Sequence, residues 1–123
     1  MATKSGLKSK LVAGAVVFAA ALASQAAIAG AGGLRAHDVV RGNHADIYNV
    51  TFTGGTTAEV AVLGDGDTDL DLYVFDQNGN LICRATGRGD GEACRWRPRW
   101  TGPFRIEVRN LGGISNRYRL ATN

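Results

Sequence analysis

Beyond residue 29, this chain of 123 residues has no lysine, a single serine and no excess of either charge. Each shortage closes a class of function. The lysines are Lys4, Lys8 and Lys10, so the formal net charge of +3 belongs to the first ten residues, and the remainder sets eleven arginines against eleven acidic side chains. Nucleic-acid binding requires a net basic domain, and none is left. Ser115 has no nucleophile-elbow surroundings, and the spacing of His37, Asp38, His44 and Asp46 matches no metal or base-and-orienter motif, so these histidines read as ordinary surface residues. Cys83 and Cys94 are the only cysteines, too few to close a zinc site. Sustained helical periodicity is also missing after the first thirty residues, which argues against a helical domain.

What is present begins with an export signal. Three lysines precede an apolar run over residues 11–23, and Ala27-Ile28-Ala29 fits the small-x-small cleavage rule. The expected cut is before Gly30, with one after Ala26 as the second choice and an uncleaved anchor as the alternative. The run is shorter than the roughly 20 apolar residues of a membrane span, so no stable span is expected after cleavage. The division is a signal peptide over 1–29, an irregular segment over 30–44 and one domain over 45–123, in a secreted or periplasmic protein. In that compartment an even cysteine count points to a Cys83–Cys94 disulfide. Closing so short a loop contributes about 3 kcal/mol in the chain-entropy model.

Period-two alternation between clusters of Gly, Asn, Asp and Thr predicts strands over 46–52, 57–63, 69–75, 80–85, 93–97, 103–109 and 116–121. The fold class is all-β, an antiparallel sandwich of seven or eight short strands. Leu70, Leu72 and Val74 share one face, as do Phe104, Ile106 and Val108. Leu81 with Cys83, and Cys94 with Trp96, also share faces. A hairpin pairing these two segments would put both sulfurs inside beside an indole ring, with residues 86–92 as the exposed loop. Asn78-Gly79 predicts a type I′ reversal.

With those residues in place the chain resembles the bacterial pre-peptidase C-terminal domain family. The likeness rests on "YNVTFTGG", "VAVLGDGDTDLDLYVFDQNGNLI", "WRPRWTGPFRIEVRNLGG" and "NRYRLATN", in that order. It implies a jelly-roll-like sandwich without catalytic activity, here a stand-alone secreted member, serving secretion, attachment or stability. Relatives that bind collagen hold calcium partly through an acidic N-terminal linker, where this chain offers only Asp38 and Asp46.

The acidic run "GDGDTDLDLYVFDQNGN" is the main candidate site. A helix-loop-helix calcium loop needs glycine at its sixth position and glutamate at its twelfth; counting from Asp65, those are Leu70 and Asp76. Another oxygen site stays open, with Asp67, Asp69 and Asp71 as candidate calcium ligands. The competing reading has them solvated or paired with arginines. The alternative function is a small secreted hydrolase using the carboxylates between Asp65 and Asp76. "CRWRPRW" gives Trp96 to the core and leaves Trp100 for packing or ligand contact. Arg95, Arg97, Arg105, Arg109, Arg117 and Arg119 alternate outward, and adjoining strands would merge them into one basic face. Trp100, Arg97, Arg105 and Arg117 are therefore the candidate contacts to an envelope or extracellular protein or polysaccharide.

Overall fold

The computed structural model describes residues 33–123 together with two short strands near the start, β1 (Thr3–Gly6) and β2 (Ser9–Leu11). The expected cut before Gly30 and nearly all of the apolar run fall outside the described residues. Eight further strands follow: β3 (Arg35–Val40), β4 (Ala45–Phe52), β5 (Ala58–Leu63), β6 (Leu70–Phe75), β7 (Leu81–Ala85), β8 (Gly91–Trp96), β9 (Gly102–Asn110) and β10 (Asn116–Thr122). Among the described residues there is no helix.

The strands form two antiparallel sheets, ordered β3-β10-β5-β8 and β4-β9-β6-β7, with β1 and β2 added beyond the β4 edge. Pairing runs β3 with β10, β4 with β9, β5 with β8 and β6 with β7. A long hairpin folded over on itself gives this order, so the sandwich is a jelly roll. From β3 to β10, successive strands change sheet except at β6–β7, where a tight turn keeps both in one sheet.

Strand direction then sorts the connections into two poles. Segments 53–57, 76–80 and 97–101 gather at one end with the C-terminus, tied by Gly55 N–H to Pro98 O (2.8 Å) and Asn123 N–H to Glu59 O (3.2 Å). Segments 41–44, 64–69, 86–90 and 111–115 gather at the other, tied by Gly64 N–H to Asp90 O and Asn43 N–H to Gly112 O, both 2.9 Å.

The core follows from the alternation. Tyr48, Val50 and Phe52 of β4, Leu70, Leu72 and Val74 of β6, and Phe104, Ile106 and Val108 of β9 face Val60, Val62, Cys94, Tyr118 and Leu120 of the other sheet, all buried. Each fully buried side chain of this size contributes roughly 1.5–3 kcal/mol. Phe52, Trp96 and Phe104 close one end as an edge-on cluster with centroids 4.9–5.8 Å apart.

Three expectations are corrected. Cys83 and Cys94 are bonded, with Cα atoms 6.0 Å apart, but their strands do not pair: β7 ends one sheet and β8 ends the other. The disulfide therefore ties the two sheets together along one side of the sandwich. Leu81 is exposed, because β7 is an edge strand and its register on β6 shifts between Val74 and Phe75. The β6–β7 reversal is not type I′, since Gly79 (φ 82°) has positive φ and Asn78 does not. Gly79 N–H donates to Asp76 O and Asp76 N–H to Asn80 O, a type I turn followed by a left-handed glycine. Asp76 selects this form by accepting the N–H groups of Asn78 and Asn80, both at 2.9 Å.

Candidate functional site

The acidic run separates into parts with different work. Asp65 staples its own loop: its carboxylate accepts Asp67 N–H (3.1 Å) and Arg117 N–H (3.0 Å), and these bonds hold its pKa below the ordinary carboxylate value. Asp76 is bound into the turn just described, and its pKa is lowered chiefly by the Asn80 side chain. The loop is further held by Asn116, fully buried, which donates to Thr68 Oγ1 (2.9 Å) and Asp90 Oδ2 (3.3 Å) while its own Oδ1 accepts Asp65 N–H. Asp90 Oδ2 also accepts Gly66 N–H. Asp67 is exposed.

Asp69 and Asp71 meet a partner from the other sheet. With Glu92 near the start of β8 they form a group whose ligand oxygens all lie within 4.8 Å of one another. Asp67 lies outside it. Asp71 sits at an outward position of β6 yet is only 5 % exposed. The chain between β7 and β8 passes beside the start of this strand, where Leu70 N–H donates to Gly89 O. Asp69 Oδ1, Asp71 Oδ1 and Glu92 Oε2 are buried and accept no hydrogen bond.

Burial raises the pKa of Asp71, Asp69 raises it further, and Arg109 pulls it back. Burial likewise raises Glu92, with Asp71 and then Asp69 adding to the shift and the Gly87 N–H opposing it. Buried acceptors without donors cost free energy, and three carboxylates this close repel one another. A hard divalent cation relieves both penalties at once, and an all-oxygen, carboxylate-rich donor set suits calcium. The three carboxylates supply such a donor set.

Arg109 lies opposite Asp71 and acts on it, but the arginines expected to neutralise this run make their ion pairs elsewhere. Arg105 and Arg109 clasp Glu107 from either side, at 2.9 and 2.7 Å, and lie over the rings of Phe75 and Tyr73. Arg95 faces Glu59 at 3.6 Å. Nor do the outward arginines merge into one basic face. Arg105 and Arg109 belong to β9, while Arg117 and Arg119 belong to β10 in the opposite sheet. Sequence neighbours alternate between sheets in a jelly roll, so their outer faces point apart.

Of the four candidate ligand contacts, the structure brings Trp100 and Arg97 together and leaves Arg105 and Arg117 on separate faces. Trp100 and Arg97 border a cavity of about 330 Å³ at the pole that carries the C-terminus, with Trp96, Arg99 and Gln77 also in its wall. His44 is engaged locally, its Nδ1 lying 2.7 Å from Gly42 O, and no histidine joins an acidic cluster among the described residues.

One polar group lies in the core itself. Asp46, 4 % exposed, accepts the Tyr118 hydroxyl at 2.8 Å, and the Tyr48 hydroxyl donates in turn to Tyr118 at 2.8 Å. Burial pushes both phenols well above their ordinary pKa.

No family model and no curated protein sequence matches the chain. Solved structures do. The periplasmic lysozyme inhibitor PliG of Aeromonas hydrophila aligns with a TM-score of 0.52 at 17 % identity, over 79 % of this chain and 96 % of that one. The Yersinia pseudotuberculosis-derived mitogen aligns at 0.51 and 12 % identity, over 74 % and 84 %. The pre-peptidase C-terminal domain of a Bacillus anthracis collagenase aligns at 0.60 and 14 % identity, over 80 % of this chain and 95 % of that domain. At these identities the likeness is one of fold: the chain has the β-sandwich architecture that a pre-peptidase C-terminal domain also adopts.

Proposed function

We propose that this chain is an exported, non-enzymatic β-sandwich module that binds an envelope or extracellular protein or polymer and is stabilised by calcium held at Asp69, Asp71 and Glu92. The observation that carries the reading is the buried carboxylate trio. One oxygen of each carboxylate is shut away from solvent and lacks a donor, which suits a structural cation better than a substrate-facing pair of acids. Bound there, calcium would fasten the start of β6 to the start of β8, across the two sheets. The inter-sheet disulfide supports export, because it belongs to an oxidising compartment.

Two measurements test the two parts. Calcium should raise the melting temperature of the disulfide-intact protein and chelation should lower it; indifference to both would remove the cation from the proposal. Pull-down from envelope and culture-supernatant fractions should enrich a protein or polymer above background. Turnover in a substrate panel that is lost on Asp69→Asn and Asp71→Asn would replace the module with a hydrolase.

A further inference from the structure

At the pole opposite the carboxylate trio, the connection 97–101 is fixed in backbone yet leaves its largest side chain in solvent. Gly55 N–H donates to Pro98 O at 2.8 Å and Gly54 N–H to Thr101 Oγ1 at 2.9 Å. A Cβ on Gly54 would come within 2.4 Å of the Trp100 backbone, so the two segments touch with no room for a side chain. Pro98 is buried, whereas Trp100 is 58 % exposed. A rigid mount under an exposed indole is what a preorganised contact surface requires, because little freedom remains to be lost on binding.

The chemistry of the surrounding wall is one-sided. Arg97 and Arg99 are exposed at its edge and neither is held in an ion pair among the described residues. The one acid in the wall, Asp76, already accepts three hydrogen bonds from Asn78 and Asn80. Trp96 contributes ring surface to the wall, its indole N–H being buried. Donors outnumber free acceptors, and the local charge is positive.

We propose that this cavity binds a sugar ring carrying a carboxylate, a uronic-acid unit of an anionic polysaccharide, an inference that rests on the binding-module reading above and specifies its partner. The flat, apolar face of Trp100 suits the C–H face of a pyranose, the guanidinium forks of Arg97 and Arg99 pair with a carboxylate, and the Gln77 amide is available to a hydroxyl. A volume of about 330 Å³ lies at the small end of ligand sites and suits a short segment of a chain.

The test titrates the purified, disulfide-intact protein with oligogalacturonate, a neutral galacto-oligosaccharide of equal length and oligoglutamate. Calorimetry and tryptophan fluorescence are the readouts. Chelator is present throughout, so that calcium bridging plays no part. Oligogalacturonate should bind saturably and more weakly as salt rises. Trp100→Ala, and separately the pair Arg97→Gln with Arg99→Gln, should each weaken binding about tenfold, while Trp100→Phe keeps most of it. These positions are exposed, and unchanged melting temperatures would confirm intact folds. Equal affinity for the neutral sugar or for oligoglutamate, insensitivity to Trp100→Ala, or no saturable binding each overturns the assignment. Should uronate fail while the envelope pull-down still recovers a partner, the saccharide inference falls and the module stands.

Discussion

Asp46 and Asp71 are both buried aspartates on β-strands of the same sheet, 4 % and 5 % exposed, and the chain treats them in opposite ways. Asp46 accepts a hydrogen bond from the Tyr118 hydroxyl, itself backed by Tyr48, so its burial is compensated from within. Asp71 receives no hydrogen bond at Oδ1 and has two further carboxylates as neighbours. Burial alone therefore does not mark a functional acid. What marks it is a missing donor, because a structural carboxylate is closed by its own fold and a ligating one is closed by something brought in.

The largest way to break the comparison is Asp46→Ala. Losing the acceptor leaves the Tyr48–Tyr118 hydroxyl pair one hydrogen bond short in the core and should cost about 3 kcal/mol in denaturant unfolding, with or without calcium. Next comes calcium itself: at a hundred times its dissociation constant it should add about 2.7 kcal/mol to the unfolding free energy. Asp71→Asn or Glu92→Gln should abolish that gain, and the calcium-free protein should become no less stable.

A subtler effect appears in pH. The raised pKa values of Asp71 and Glu92 mean that the native state holds more protons than the unfolded chain between the ordinary carboxylate range and the elevated values. The contribution of Asp71 and Glu92 to stability should therefore decline as pH rises through that window in chelator, and saturating calcium should reverse the trend. Comparing the pH dependence of melting for the wild type and Asp71→Asn isolates this part. Asp65 and Asp76 act in the opposite direction, losing their contribution as pH falls, and do so in both proteins. The smallest change is Asp67→Asn, which should move stability by less than about 0.5 kcal/mol and leave the calcium response intact. A lost response there would return Asp67 to the ligand set.

Much of the fold was legible because seven strands alternate cleanly. β3 was not read as a regular strand: exposure alternates along Arg35–Val40, but Asp38 shares the side of Ala36 and Val40 while Val39 faces out, so hydropathy carries almost no period-two signal. The disulfide partners were readable, yet not which strands they join, since alternation gives facing within a strand and says nothing of sheet membership. The same gap scattered the arginines over opposite faces. Asp69 and Asp71 were visible as an acidic pair, whereas Glu92, read as part of an exposed loop, was missed. The available signal was parity: Glu92 is two residues before the buried Cys94 and shares its side of β8.

The two ends of the sandwich chain also lie against each other. Leu34 N–H donates to Thr122 Oγ1 and Thr122 N–H to Leu34 O, and a Cβ on Gly33 would come within 2.1 Å of Thr122 O. Anything fused after Asn123 would leave from the same pole as Trp100. A label or surface anchor meant to spare that indole therefore belongs on the far tip, among the loops around residues 41–44 and 111–115.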